Sequence, residues 1–483
     1  MQAIIKNIFL DTAFCNTLGW RLRNGKIRAD FSPGQLFRME QGKEIGSLAR
    51  SLYPEGIFVN ELSSNAAANR TRDLLKDPKT TVLFEATFIA GNCIAKADIL
   101  LRKGISWELI EVKSNVVARE EFIDDMAYTT LVAQAAGFHP STISLLLIDK
   151  NYRLGMPTEQ LFVKADMTEQ VLTKVEEFKT IVDFIDSVSS TQDEPEPQLT
   201  FNCKQCGEFG KCRGKEIEAH IFQIPRIQQK AVEELIALGI TSIHDIPDSF
   251  SLTDNQKRVV DCVKCGKMQI DPELLKRLAT VSWPAGYLDF ETMMTAIPLW
   301  PDIAPYEQIP VQYSLHICRS SGQIIHHRDY LADPHRDCRR ELAGRLIEDL
   351  KGEGSIITYS SFEKTTISKL SKTFPDLSDD LQSLIDRVVD LEQCIKCVHH
   401  PEFCGRTSIK IVLPVLVRDL SYEGLEIADG DTALVTFAMM AQGKMDTGEM
   451  EQKRAALREY CKMDTLAMVR LHEMLHGFCG REK

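Results

Sequence analysis

A polar, acidic tract at residues 188–200 constrains this chain more than any other feature. It contains Asp193, Glu194, Pro195, Glu196 and Pro197, and shows neither a strand nor a helix period of apolar residues. Such a segment buries too little apolar surface to run through a core. It reads as a linker between the strands and helices before it and the cysteine-dense segment after it. The 483 residues are too many for one core, and about three domains of ~100–200 residues are expected.

Ahead of the tract, TVLFEATFIA (81–90), IAKADILL (94–101) and WELIEVKS (107–114) read as consecutive strands. EEFIDDMAYTTLVAQAAGF (120–138) reads as a helix ending near Gly137, and STISLLLID (141–149) as another buried strand. Beyond the tract come a cysteine-dense segment (201–212), a mostly helical stretch (217–280) and, from 284, an apolar strand that opens a second run of strands and helices. The expected fold is α/β. The expected domains are 1–215, closed by the cysteine segment, a helical connector at 216–280, and 281–483.

Composition narrows the setting. With 44% hydrophobic and 26% charged residues the chain reads as soluble and globular. No apolar run reaches the ~18–20 residues of a membrane span. Asp11 interrupts the first apolar run and no small-residue cleavage site follows, so a cytoplasmic location without a signal peptide is expected. There, fourteen cysteines favour metal or cluster ligation over disulfides. The net charge of −12 lends no support to nucleic-acid binding, which would need a local basic groove.

The chemistry-bearing residues fall in three places. In PAGYLDFET (284–292), Asp289 and Glu291 are two apart on a buried-type strand, so they share a face and can jointly hold a hard divalent cation. In LREYCKMDTLAMVRLHEML (457–475), Tyr460 and Asp464 share one helical face. In the N-terminal half, Asp98 lies on one strand, while Glu111 and Lys113 share a face of the next. The carboxylates there can bind Mg²⁺, and Lys113 can position or help deprotonate water.

Asp-x-Glu on a strand followed by Tyr-x-x-x-Asp on a late helix resembles the first and third motifs of DnaQ-like (DEDD) exonucleases. Tyr359-Ser360-Ser361-Phe362-Glu363 resembles that family's second motif, with Glu363 where Asp is usual; Asp390 is the rival for this position. The resemblance implies two-metal phosphodiester hydrolysis with Mg²⁺ or Mn²⁺. Asp289, Glu291, Glu363 and Asp464 would be ligands, and Tyr460 would orient the attacking water. Asp98 with Glu111-Val112-Lys113 is similarly the arrangement of PD-(D/E)XK nucleases. Gly46 and Thr129 stand where RecB-like relatives commonly carry a metal-binding His and a Gln.

Cys203-x2-Cys206-x5-Cys212, with Cys15 early in the chain, resembles the RecB-like nucleases in which four cysteines hold a [4Fe–4S] cluster; Zn²⁺ is the alternative. Three further patterns are weaker: Cys262-x2-Cys265; Cys394-x2-Cys397-x-His399-His400-x3-Cys404, which has the spacing of a small zinc site; and His472-Glu473-x-x-His476, the zinc-protease pattern at a helix end.

Taken together, the pieces resemble an uncharacterised bacterial family that fuses a RecB-like, cluster-bearing domain to a ribonuclease H-like DnaQ domain. The likeness is carried by GITSIHDIPDSFSLT (239–253), YLDFETMMTAIPLW (287–300), PYEQIPVQYSLH (305–316), YSSFEK (359–364) and HPEFCGRTSIKIVLP (400–414). It implies a nuclease acting on nucleic acid, DNA ahead of RNA, in DNA repair or defence against foreign DNA. The competing expectations are a nucleic-acid-binding iron–sulfur scaffold with a degenerate N-terminal site, and an RNA-processing exonuclease. Residues 226–262 resemble a helix–hairpin–helix segment in which Arg226, Lys230 and Lys257 are candidates to contact phosphate.

Overall fold

The computed structural model describes residues 2–27 and 31–479. The fold is mixed α/β and divides into two compact units. The first holds residues 1–198, 205–212 and 295–307; the second holds 199–204, 213–294 and 308–483.

The first unit is built on a six-stranded sheet whose spatial order follows the sequence. Its strands are β1 (Ile57–Phe58), β2 (Val82–Ala90), β3 (Cys93–Lys103), β4 (Ser106–Val112), β5 (Thr142–Ile148) and β6 (Phe162–Asp166). β2, β3 and β4 form an antiparallel meander, and β4 then pairs in parallel with β5. A parallel pair needs a crossover, which the helix Glu120–Ala135 supplies. β4 and β5 are buried along nearly their whole length because both faces are covered. On one face Phe9, Met126, Tyr128, Val175 and Phe178 join the core, and the Tyr128 hydroxyl donates to the Ile4 carbonyl at 2.6 Å. On the other, Ala49 packs with Phe84, Ile99, Ile110 and Leu146.

The acidic tract follows the helix Thr168–Ser189. It is not the free tether that its composition suggests. Trp20 Nε1 donates to the Thr191 carbonyl at 2.8 Å, the Thr17 hydroxyl to the Pro195 carbonyl at 3.1 Å, and Arg21 pairs with Glu194 at 2.6 Å. A proline-bearing strand of chain has no ladder partners for its carbonyls, and side-chain donors of the helix Asn16–Arg23 take that place.

In the second unit the helices Gln229–Ala237 and Asp254–Cys265 are separated by residues 238–253, which include a 3₁₀ turn at Ile243–Asp245. This is longer than a tight hairpin. Thr253 and Gln256 form a reciprocal cap at the start of the second helix, and Gly266 closes it at φ +64°. β7 (Gln269–Ile270) follows. The main sheet then uses β8 (Ala285–Met293), β9 (Ile309–Cys318), β10 (Ile324–Leu331), β11 (Ile356–Thr358) and β12 (Val388–Asp390), in the order β10-β9-β8-β11-β12. β13 (Val398–His399) pairs back onto β7.

β8 is central, antiparallel to β9 and parallel to β11, and almost wholly buried. The helix Thr447–Cys479 lies against β8 and β9. Its buried stripe runs through Leu457, Tyr460, Cys461, Asp464, Met468, Leu471 and Leu475, at the spacing of one helical face. The opposite face of the sheet packs Leu288, Phe290 and Leu315 against Leu342, Leu346 and Ile367. The segment joining β8 to β9 belongs to the first unit. There Ala296 and Tyr306 pack with Ile45, Ile148 and Tyr152; the Ala296 amide donates to Gln41 Oε1, and the Tyr306 hydroxyl to the Ser114 carbonyl at 2.5 Å. Among the described residues, no helix is long and apolar enough to cross a membrane.

Candidate functional site

β8 presents Asp289 and Glu291 to one face, and the pairing of β8 with β9 shifts register immediately after Glu291. Bulges of this kind re-aim side chains and are common beside sites. The long C-terminal helix brings Asp464 to the same place. Ligand oxygens of Asp289, Glu291 and Asp464 all lie within 4.8 Å of one another. Burial, followed by mutual repulsion, pushes Asp289 and Glu291 well above the usual carboxylate range. Burial also raises Asp464, to about 6, although hydrogen bonds from Tyr422 and Tyr460 and the charge of Lys410 oppose it.

Glu363 lies in the first turn of the helix Phe362–Thr373, reached from β11 through Ser360 at φ +94°. It is 2% exposed, and its Oε2 has no hydrogen-bond partner. Burial raises it to about 8, with further contributions from Asp390 and Asp464. Asp390 is engaged elsewhere. Its carboxylate accepts from the amides of Ser360 and Glu392, each at 2.9 Å, and from Gln393 Nε2 at 3.0 Å, so it fastens a turn. Of the two rivals, Glu363 is the one left with an open ligand atom.

Several neighbours have no counterpart in the sequence reading. The Tyr422 hydroxyl donates to Asp464 Oδ1 at 2.5 Å. The Lys410 ammonium lies 5.6 Å from the Tyr422 ring centre and 5.5 Å from that of Tyr460. The Cys461 thiol lies 3.5 Å from Asp289 Oδ2. A Cβ on Gly430 would stand 3.9 Å from Glu291 Oε2 and 4.0 Å from the Tyr460 hydroxyl, so the start of the helix Gly430–Ala441 forms a wall of the site. Lys410 and Tyr422 lie 50 and 38 residues before Tyr460 in the chain, and no local period marks them.

In the first unit, Asp98 on β3 and Glu111 on β4 line a cavity of about 580 Å³ together with Lys6, Glu85 and Lys113. Asp98 Oδ2 accepts from the Val112 amide at 2.8 Å, and burial followed by Glu111 raises Asp98 to about 8. Lys113 sits 2.9 Å from Glu111 and also pairs closely with Asp125. Those two carboxylates more than offset burial and hold the ammonium above its usual range. Lys113 therefore stays protonated, which suits orienting a water or phosphate and not taking a proton. Lys6 reaches the same carboxylates, 3.1 Å from Asp125 and 3.4 Å from Glu111. Gly46 opens onto this cavity. The Thr129 hydroxyl bonds back to the Asp125 carbonyl of its own helix, at 3.2 Å.

The chain's thiols form no disulfide. Cys15 separates the helices Lys6–Phe14 and Asn16–Arg23, and Cys206 and Cys212 lie in the 205–212 segment of the same unit, with Cys212 beside Arg21. All three thiols are half-buried. Cys203 is counted with the second unit. The other patterns are explained by packing. Cys262 donates to the Lys267 carbonyl at 3.3 Å, Cys404 to Gln223 Oε1 at 3.3 Å, and His400 Nδ1 accepts from the Glu402 amide at 3.2 Å. Cys394 and Cys397 are buried in the core. His472 is fully buried, stacked on Trp283, with its Nδ1 2.6 Å from the Tyr287 hydroxyl.

Residues 286–408 match the model of a family described as a domain of unknown function, DUF2779. That range includes Asp289, Glu291, Glu363 and Asp390 and ends before Lys410, Tyr422 and Asp464. The chain is similar to the "Uncharacterized protein MG366 homolog" of Mycoplasma pneumoniae, 24% identical over 212 residues, which cover 40% of this chain and 32% of that protein. It is also similar to the "Uncharacterized protein MG366" of Mycoplasma genitalium, 21% identical over 203 residues, covering 38% and 30%. The chain thus spans about a third of the length of these relatives.

Proposed function

We propose that the second unit is a metal-dependent 3′→5′ exonuclease of the DnaQ-like kind, acting on DNA in preference to RNA. The observation that carries this reading is the buried group of Asp289, Glu291 and Asp464 with ligand atoms within 4.8 Å, next to a Glu363 oxygen that has no partner. Several carboxylates buried together are costly unless a cation neutralises them. The donor set is all hard oxygen, which fits Mg²⁺ or Mn²⁺ and argues against a thiophilic ion. Asp289, Glu291, Glu363 and Asp464 would hold the metal. When bound there, it supplies charge neutralisation at the phosphate and acidification of a water.

The chain's own residues do the rest. Tyr422 and Tyr460 donate to Asp464 and favour its anionic form. The Tyr460 hydroxyl, at the edge of the group, orients the attacking water. Lys410 adds positive charge beside Glu291 and Asp464, where a phosphate would lie. In the first unit Asp98, Glu111 and Lys113 form a second, PD-(D/E)XK-type site, with Lys113 as an orienting cation. A [4Fe–4S] cluster, with Zn²⁺ as the alternative, is proposed for the chain's cysteine motif, and the absorbance of anaerobically purified protein tests it directly. A place in DNA repair or defence against foreign DNA follows from the same reading.

The test is hydrolysis of end-labelled single- and double-stranded DNA and RNA by the full chain with Mg²⁺ or Mn²⁺. Stepwise shortening from the 3′ end is expected, with Asp289→Ala slowing it more than about 100-fold. Degradation that is unchanged by both Asp289→Ala and Lys113→Ala would overturn the assignment.

A further inference from the structure

The second unit contains a cavity of about 620 Å³, separate from the carboxylate group. One wall comes from the connector, with Pro225, Arg226 and Val259 of the helix Asp254–Cys265; the other is the Glu392–Thr407 segment, with His399 and Arg406. We infer that this cavity is an anion site that takes a backbone phosphate of the nucleic-acid strand. The inference rests on the nuclease reading for the identity of its ligand, and on the charge and shape of the cavity for its location.

The charges decide it. Three cationic side chains line the cavity: Arg226, Lys396 and Arg406. One carboxylate, Glu392, lines it too, and that group is already occupied. Its Oε2 accepts from Lys396 at 2.9 Å and its Oε1 from the Thr407 hydroxyl at 2.6 Å. Lys396 is thereby neutralised, and the two guanidinium groups have no carboxylate partner among the described residues. Arg406 Nε donates to the Phe403 carbonyl at 3.3 Å, which leaves its terminal nitrogens to the cavity. Two guanidinium groups without a carboxylate partner, lining one polar cavity, suit the recognition of a phosphate. The local field agrees. After burial, Arg406 is the next cause that lowers His220, and Arg258 the next that lowers His399.

The cavity's shape is set before any ligand arrives. Gly405 has φ +71°, and a Cβ there would meet Pro225 Cγ at 2.3 Å and Val259 Cγ2 at 2.8 Å, so the two walls touch. Arg226 and Cys404 also hold positive φ, +51° and +46°, conformations that non-glycine residues adopt only when their surroundings impose them. The same segment reaches toward the carboxylate centre. The Tyr359 hydroxyl donates to the Thr407 carbonyl, and Asp390 bridges the amides of Ser360 and Glu392, at the turn that delivers Glu363. Both arginines are exposed and the cavity is larger than one phosphate, which suits a strand's backbone better than a closed cage for a free ion.

The experiment measures binding of a fluorescently labelled single-stranded oligonucleotide to the full chain, with Ca²⁺ as the divalent ion, across a series of KCl concentrations. Arg226→Gln with Arg406→Gln should weaken binding at least about 5-fold and flatten the salt slope by about 1 to 1.5, since each single-strand phosphate contact contributes ~0.7. Arg226→Lys with Arg406→Lys should keep the slope, which separates lost charge from lost fold. Wild-type affinity and slope in the Gln variant would overturn the inference, as would a wild-type chain that binds no strand. Inorganic phosphate is titrated against thermal stability in parallel. If it stabilises the wild type and not the Gln variant while strand binding is unchanged, the cavity takes free phosphate and the strand assignment falls. If the wild type binds the strand through these arginines yet cuts nothing, the nuclease reading fails and this inference stands.

Discussion

Tyr422 donates its hydroxyl hydrogen to Asp464 at 2.5 Å across 42 residues of chain. The bond, together with one from Tyr460, counters the burial that raises Asp464. Hydrogen bonds to a charged group contribute about 1.5–3 kcal/mol. Tyr422→Phe keeps the ring and removes the donor. It should raise the Mg²⁺ concentration for half-maximal hydrolysis about 10- to 100-fold, with a smaller change at saturating metal. A metal titration of the hydrolysis rate measures this, and an unchanged half-saturation point would show that Tyr422 only packs.

The carboxylate group also sets a pH dependence of stability. Glu363 sits at about 8, Asp464 at about 6, and Asp289 and Glu291 well above their ordinary values. In the unfolded chain such groups titrate near ~4. Between those limits the metal-free folded state binds protons that the unfolded state has released, so stability falls as pH rises. With EDTA present, the melting temperature should be higher at about pH 5.5 than at about pH 7.5, and Mg²⁺ should shrink that difference by binding the deprotonated form. Glu363→Gln should shrink it as well. A metal-free protein that gains stability over this interval would contradict the burial and repulsion described for the group.

The parts of this site that the sequence displays are those fixed by local geometry. Asp289 and Glu291 share a strand face and Tyr460 shares a helix face with Asp464, because two- and four-residue spacings are dictated by backbone shape alone. The runs that form β2 to β5 were legible for the same reason: they are apolar, and the sheet buries them. Lys410, Tyr422 and Gly430 were not, since each reaches the carboxylates through tertiary contact. The acidic tract is a second instance. Its composition specifies exposure and lack of regular structure, but whether its carbonyls find donors depends on Thr17 and Trp20, 178 and 171 residues away. Asp390 and Glu363 are alike in the sequence, both acidic and suitably placed, and what separates them is tertiary: Asp390 is consumed by two backbone amides.

In the first unit, Lys113 is held between Glu111 and Asp125, with Lys6 next to both. Lys113→Ala removes the more buried of two cations from a set of carboxylates that already includes a strongly raised Asp98. Cleavage that depends on this site should fall about 100-fold, while Lys113→Arg, which keeps the charge, should retain a measurable fraction. Assays in an Asp289→Ala background isolate the site. Equal loss in the Ala and Arg variants would place the requirement in the ammonium's shape and not its charge.

His472 decides between two readings of the His-Glu-x-x-His pattern. Its ring is fully buried, bonded to the Tyr287 hydroxyl at 2.6 Å and stacked on Trp283 with centroids 5.9 Å apart. Burial lowers its pKa to about 3, with His476 adding to the effect, so it is neutral at physiological pH. A neutral imidazole committed to a core tyrosine is a packing element. His472→Ala leaves a cavity and an unpaired buried hydroxyl, which should cost about 2–4 kcal/mol of stability. Denaturant unfolding of the variant measures this. A metal-ligand role predicts the opposite signature: little loss of stability in the metal-free protein, and loss of a zinc-dependent stabilisation that the wild type would have to display.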